Sequence, residues 1–202
     1  MKKFLIILFL VLNVNMFAKD YGPWYIGADY GISFTDSGVD STTGSTSLDD
    51  KNSSYRFTFG YKFKNVKYLA MELQYLNFGN SEISGNNGDT FTIDGRTYTF
   101  NADDVSLMTS GDSFGSSIVV DFPIDNDIIP YARFGYHLWQ FKTTGSSSVG
   151  NYNGLNDGGN IFYGFGTKVN LVKRLDAKIE YQNLEISQGR IQLATIGFNY
   201  TF

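Results

Sequence analysis

The chain has 202 residues, 16 of them Lys or Arg and 20 Asp or Glu, with no cysteine and a formal net charge of −4. The lack of cysteine excludes a disulfide scaffold, a Cys/His zinc site and a lipidated N-terminal cysteine, and the mild acidity argues against a nucleic-acid partner. Aromatic residues reach 17%, yet the mean hydropathy is only −0.18, as expected of a chain whose apolar and polar residues alternate.

Lys2 and Lys3 precede an unbroken apolar run over 4–12, and Met16-Phe17-Ala18 closes the segment. This pattern predicts a secretory signal peptide over 1–18, cleaved after Ala18, and a mature domain over 19–202. No later apolar run is long enough for a spanning helix. If the exported chain enters a membrane it must therefore do so as a barrel, because only helices and closed barrels satisfy their backbones in lipid.

Strand one is expected over 23–34. Trp24, Ile26, Ala28, Tyr30, Ile32 and Phe34 share one face; Tyr25, Gly27, Asp29, Gly31 and Ser33 share the other. This is the period of two that marks a strand. A polar segment, 35–52, reads as a loop. Strand two, 53–63, sends Tyr55, Phe57, Phe59, Tyr61 and Phe63 outward and Arg56, Thr58, Gly60 and Lys62 inward. Such a row of aromatics would make a soluble sheet aggregate and is at home in lipid. A short turn leads to strand three, 68–78, with Leu69, Met71, Leu73 and Tyr75 opposite Ala70, Glu72, Gln74 and Leu76.

The longest connection, 79–111, contains a small hairpin: 90–93 and 97–100 flank Asp94-Gly95-Arg96, and Asp-Gly is a tight-turn signal. Either strands three and four project beyond the membrane or this hairpin folds over the mouth. Strand four is expected over 112–122 and strand five over 128–142, the latter with Arg133, Gly135 and His137 inward. A Ser/Gly/Asn-rich loop spans 143–158. Strand six covers 159–171 and strand seven 175–186, with Asp176, Lys178, Glu180 and Gln182 inward. In strand eight, 190–202, Ala194, Ile196, Phe198, Tyr200 and Phe202 share the apolar face, and the sequence ends on that aromatic ladder.

The connections alternate long and short, and only the seventh, 187–189, is short where a long one is due. Long loops on one side and short turns on the other are the asymmetry of an outer-membrane barrel. Trp24, Tyr61, Tyr131, Tyr200 and Phe202, at strand ends, read as an interfacial belt.

The chain resembles the eight-stranded outer-membrane β-barrels of the OmpA, OmpX and opacity-protein type. The likeness rests on Gly27 and Gly31 of strand one, on Phe59-Gly60-Tyr61-Lys62-Phe63 and Ala70-Met71-Glu72-Leu73-Gln74-Tyr75, on Pro130-Tyr131-Ala132-Arg133-Phe134-Gly135-Tyr136, and on Ile196-Gly197-Phe198-Asn199-Tyr200-Thr201-Phe202. It implies an all-β, eight-stranded, antiparallel, up-and-down transmembrane barrel in the outer membrane of a Gram-negative bacterium. It further implies a C-terminal insertion signal, Phe198, Tyr200 and Phe202, recognised by the outer-membrane insertion machinery. No peptidoglycan-binding domain is expected after strand eight.

The inward faces carry Asp29, Arg56, Lys62, Glu72, Asp121, Arg133, Lys168, Asp176, Lys178 and Glu180, equal in acids and bases. Buried charges are tolerable when paired, and an eight-stranded barrel has room inside for little more than side chains. The expectation is a salt-bridged, closed lumen; a narrow charged conduit that opens when pairs exchange is the alternative. Loss of Glu72 should destabilise the barrel by stranding a basic partner.

No enzyme is expected. The single histidine, His137, points inward, away from the lipid face where an outer-membrane deacylase would need His beside Ser. The acid pairs Asp49-Asp50 and Asp103-Asp104 lie in loops and read as solvated charge, so no catalytic, cofactor or metal site is assigned. The expected partners are outer-membrane lipid, the insertion machinery and a host or surface ligand at the loops. A monomer is expected, acting as a structural and surface-interaction protein, with a small low-conductance porin or solute conduit as the alternative.

Overall fold

A computed structural model describes residues 22–202 apart from 36–38, 67, 94, 123, 125–126 and 188; the predicted signal peptide lies outside the described residues. Twelve strands follow in order: β1 (Trp24–Thr35), β2 (Val39–Thr42), β3 (Ser47–Asp49), β4 (Lys51–Lys62), β5 (Leu69–Gly85), β6 (Thr90–Ile93), β7 (Arg96–Thr99), β8 (Val105–Asp121), β9 (Ile128–Ser147), β10 (Gly150–Val172), β11 (Leu175–Ile186) and β12 (Gly189–Thr201).

Eight of these pair antiparallel in the order β5-β4-β1-β12-β11-β10-β9-β8, and β5 pairs with β8 to close the ring. Closure leaves the ring no free edge along its shared length, which a membrane demands of any sheet. The period of two survives in the folded chain. Tyr30, Phe57, Phe59, Phe134 and Phe165 are exposed on the outside, while Tyr25, Arg56, Glu72, Arg133 and Lys178 are buried within.

The loop end departs from expectation. The segment 143–158 is not a loop: β9 and β10 run on as a hairpin, paired to Ser147↔Gly150. Its Ser, Gly and Asn residues suggest a coil by composition, but the ladder satisfies their backbones. β5 and β8 likewise continue past 78 and 112, paired to Gly85↔Val105. A bulge at Gly79, with φ of 79°, adds one residue and reverses which faces point inward above it. Ser81 and Ile83 therefore face in, beside Leu107 and Thr109 of β8.

β3 pairs with β5 at Ser47↔Ser84 to Asp49↔Glu82, so β3, β5, β8, β9 and β10 form a wall standing above the ring. The hairpin over 90–100 is present as β6 and β7, joined by β2 into a separate three-stranded sheet. Phe91 and Tyr98 of that sheet face Ile83 and Leu107 of the wall across an apolar cleft of 380 Å³. Both anticipated arrangements hold: the strands project, and the hairpin leans over the mouth.

Candidate functional site: the filled lumen

Along four strands the lumenal side chains come in the same order from the turn end upward. β5 presents Ala70, Glu72, Gln74, Leu76 and Phe78. β9 presents Tyr131, Arg133, His137 and Trp139. β11 presents Asp176, Lys178, Glu180, Gln182 and Leu184, and β12 presents Asn199, Thr195, Leu193 and Ile191. Beyond Ala70, which packs with Tyr25, Val119 and Tyr131 at the turn end, each begins polar and ends apolar. The lumen is therefore filled in two layers.

The lower layer is ionic. Arg56 Nε donates to Asp29 Oδ2 at 2.9 Å, and its two terminal nitrogens grip Glu180 at 2.7 and 2.9 Å. Arg133 lies 3.0 Å from Glu180 Oε1 through Nε and 2.8 Å from Glu72 Oε2 through Nη2. Lys178 Nζ stands 3.1 Å from Asp29 Oδ2. These six charged side chains are almost wholly inaccessible, and three acids balance three bases. Neutrality matters here, since one uncompensated charge in so dry a space costs several kcal/mol.

Hydroxyl and amide groups complete the shell. Tyr25 donates to Glu72 and Tyr131 to Glu180, each at 2.5 Å. Arg56 also donates to Gln182 Oε1 and Arg133 to Gln74 Oε1. Tyr131 is thus a lumenal residue and not part of the interfacial belt. It shares parity with Arg133 and His137, so at 3% exposure it points inward. Tyr25, Tyr131, Gln74 and Gln182 were not singled out from sequence as members of the network. Their signal is that each lies on the same strand face as a charged residue.

The other four predicted charges occupy the turn end. Lys168 donates to Asp121 at 2.5 Å, whereas Lys62 and Asp176 stand 4.0 Å apart, with the Lys62 side chain 41% exposed. They form a turn-end group separate from the central cluster, in which only the Lys62 side chain is substantially exposed.

The upper layer is a hydrocarbon plug of Leu76, Phe78, Trp139, Phe162, Leu184, Ile191 and Leu193, with Phe141 and Ile186 packed against it. His137 sits at the boundary, edge-on to Phe162. Its Nε2 is 2.9 Å from the Glu185 carbonyl, and since a carbonyl only accepts, Nε2 carries the proton. Trp139 donates Nε1–H to Asn160 at 2.8 Å, so even the indole has its partner. Among the described residues no group of three or more His, Asp or Glu is arranged to hold a metal ion.

Residues 4–202 match the family model described as the outer membrane protein beta-barrel domain. The chain belongs to that family. No curated protein matches it. Among solved structures, this outer membrane barrel is similar to OprG of Pseudomonas aeruginosa, with 12% identity over 90% of this chain and 97% of that one at a TM-score of 0.54. It is also similar to Ail, the attachment invasion locus protein of Yersinia pestis, in complex with the heparin analogue sucrose octasulfate: 12% identity over 89% and 99%, TM-score 0.52. The N-terminal barrel domain of P. aeruginosa OprF gives 14% identity over 91% and 100%, TM-score 0.52. At such identities the likeness is one of fold. The barrel therefore resides in the outer membrane. In such barrels the short turns lie on the periplasmic side and the long loops face out, so the plug and the projecting wall are at the cell-surface end.

Proposed function

We propose that this barrel is a structural and surface-interaction protein, its lumen closed and its loop structures displayed outside the cell. The observation that carries the reading is the hydrocarbon plug set directly above a neutral ionic cluster. An ion reaching the plug would lose its hydration without a compensating charge. The ionic cluster holds the strands in register, and the wall and three-stranded sheet supply a surface on which recognition can vary, as loops on a rigid scaffold usually do. In this reading residues 1–18 are removed on export, Phe198, Tyr200 and Phe202 form the insertion signal, and the barrel acts as a monomer without enzymatic activity.

A small pore is the second reading. The hydroxyls of Thr58 and Ser117 are buried beside the ionic layer with no protein hydrogen-bond partner, and displacement of the plug would complete a polar path. Single-channel recording of the refolded mature chain, 19–202, separates the two. Electrical silence from a barrel with heat-modifiable gel mobility supports closure, whereas discrete, reproducible openings favour the pore. Deletion of 90–100 should then abolish surface attachment while leaving insertion intact. The heparin analogue bound to Ail makes a sulfated saccharide the first probe, with host-cell adhesion as the wider assay. Unchanged attachment in both would count against the surface role.

A further inference from the structure

The cleft between the three-stranded sheet and the wall is propped open by its own side chains. Leu48, Ile83 and Leu107 form one side, and Val39, Phe91 and Tyr98 form the other. The Phe91 and Tyr98 rings stack with centres 5.5 Å apart and planes at 19°. Phe91 leans in turn on Phe100, at 5.1 Å between ring centres. Phe100 is buried, and its ring occupies the space where a side chain of Gly85 would stand. Phe100 is therefore a spacer seated on β5 that holds the sheet off the wall.

Loop contacts fix the same end of the sheet. Asp89 accepts from the Ser45 hydroxyl at 2.6 Å and from the Asn86 backbone N–H at 3.0 Å, and the Thr43 N–H donates to the Thr90 carbonyl at 2.9 Å. Two apolar faces free to approach would close on each other, because contact removes both from water. Here the spacer and the loop contacts keep 380 Å³ between them, within the usual range for a small-molecule site and near its lower end. Tyr98 is still exposed there.

The cleft also has a polar side. Thr109 and Thr143 line it and share a hydrogen bond of 3.0 Å between their hydroxyls. That bond uses one of the two hydroxyl protons and leaves the other to donate. Ser81 gives its proton to the Asp49 carbonyl at 2.9 Å and keeps lone pairs that can accept. One donor and several acceptors thus face an otherwise apolar space. Among the described residues that line the cleft none is charged, so a carboxylate or ammonium would be buried there without compensation. The stacked rings on one side suit a flat aromatic face.

We propose that this cleft binds a small, neutral aromatic molecule of one or two fused rings that carries a hydroxyl group. Its ring packs against Phe91 and Tyr98, and its hydroxyl meets Thr109, Thr143 and Ser81. The test is equilibrium dialysis of the full barrel in lipid nanodiscs, with empty nanodiscs as the blank. The probes are 2-naphthol, naphthalene and, at neutral pH, the anion 2-naphthoate. Saturable binding of 2-naphthol is expected, with 2-naphthoate weaker by about tenfold or more. Leu107→Trp fills the cleft and should weaken 2-naphthol about tenfold. Phe91→Ala, on the hairpin outside the ring, should do the same and serves if the tryptophan variant loses heat-modifiable mobility. Thr109→Val with Thr143→Val keeps the shape of the cleft and should weaken 2-naphthol about fivefold while leaving naphthalene unchanged. Ile118→Phe, outward on β8, should alter none of the three. The proposal is overturned by any of four results: no saturable binding of 2-naphthol, wild-type affinity in both Leu107→Trp and Phe91→Ala, 2-naphthoate bound as tightly as 2-naphthol, or an unchanged 2-naphthol affinity in the valine variant.

Discussion

The two layers of the lumen close the same space by opposite means. The ionic layer depends on partners: each charge is stable because named groups face it, and removal of one leaves another stranded. The hydrocarbon layer depends on volume: its members are interchangeable provided the space stays filled. One layer should therefore govern stability and register, and the other should govern leakage. Variants that touch one layer alone can separate these roles.

The largest effect is expected at Glu180, which faces both arginines and accepts from Tyr131. Glu180→Ala leaves the cluster with three bases against two acids, and removal of one partner from a buried ionic group costs about 3–5 kcal/mol. The urea midpoint of the refolded barrel should fall accordingly, while planar bilayers stay silent because the plug is intact. Glu72→Ala should act in the same direction and more weakly, since Glu72 faces one arginine and Tyr25. An unchanged midpoint for both would show that the cluster contributes nothing to stability.

The plug should respond the other way round. Leu184 is fully buried, and Leu184→Ala should cost about 2–4 kcal/mol, the usual range for an incompletely collapsed cavity. Joined with Trp139→Ala, it should admit water and give conducting events that Glu180→Ala does not. If the double variant is silent and Glu180→Ala conducts, the roles of the layers are exchanged.

A smaller effect should follow at Gly60. Its missing side chain leaves room for the Tyr25 ring, which a Cβ there would overlap. Gly60→Ala must push Tyr25 off Glu72 or bend β4, at about 1–3 kcal/mol. Tyr25→Phe combined with Gly60→Ala should be no less stable than Gly60→Ala alone if the lost hydroxyl contact is the main consequence. Urea midpoints of the two variants, compared directly, provide the check.

The barrel could be read from sequence wherever one strand face was polar. Between Tyr55 and Lys62 a greasy residue follows a wet one at every step, and the folded ring keeps that alternation. The plug was hidden because both faces turn apolar at the cell-surface end. Ile161, Phe162 and Tyr163 are all apolar or aromatic, and only the parity carried up the strand from Lys168 says that Phe162 points inward. Tyr131 misled for a related reason, since an aromatic at a strand end suits either a lipid girdle or a lumenal hydrogen bond. The projecting wall was obscured by composition. Gly, Ser and Asn favour turns, but 143–158 contains enough cross-strand partners to stay in the ladder. The charged lumenal residues were found because a charge on an otherwise barrel-like strand has few other places to go; their division into a central cluster and a turn-end group depends on depth, which parity does not carry.

Outside the membrane the same contrast between named partners and filled volume can be tested at its weakest. Asp89 is exposed, yet the Ser45 hydroxyl and the backbone N–H groups of Asn86 and Ser45 donate to its carboxylate, which holds its pKa below the usual carboxylate value. A depressed folded-state pKa stabilises this corner above the unfolded pKa of about 4, and the contribution fades as pH falls through the folded-state value. Amide exchange at Ser45 and Asn86 should therefore quicken on acidification, corrected for its intrinsic pH dependence. Asp89→Asn should remove the pH effect and leave the urea midpoint of the barrel unchanged, because the bonds lie wholly between loops. A fall in that midpoint would mean that the surface sheet and the ring unfold as one unit, and that the loops help to hold the plug in place.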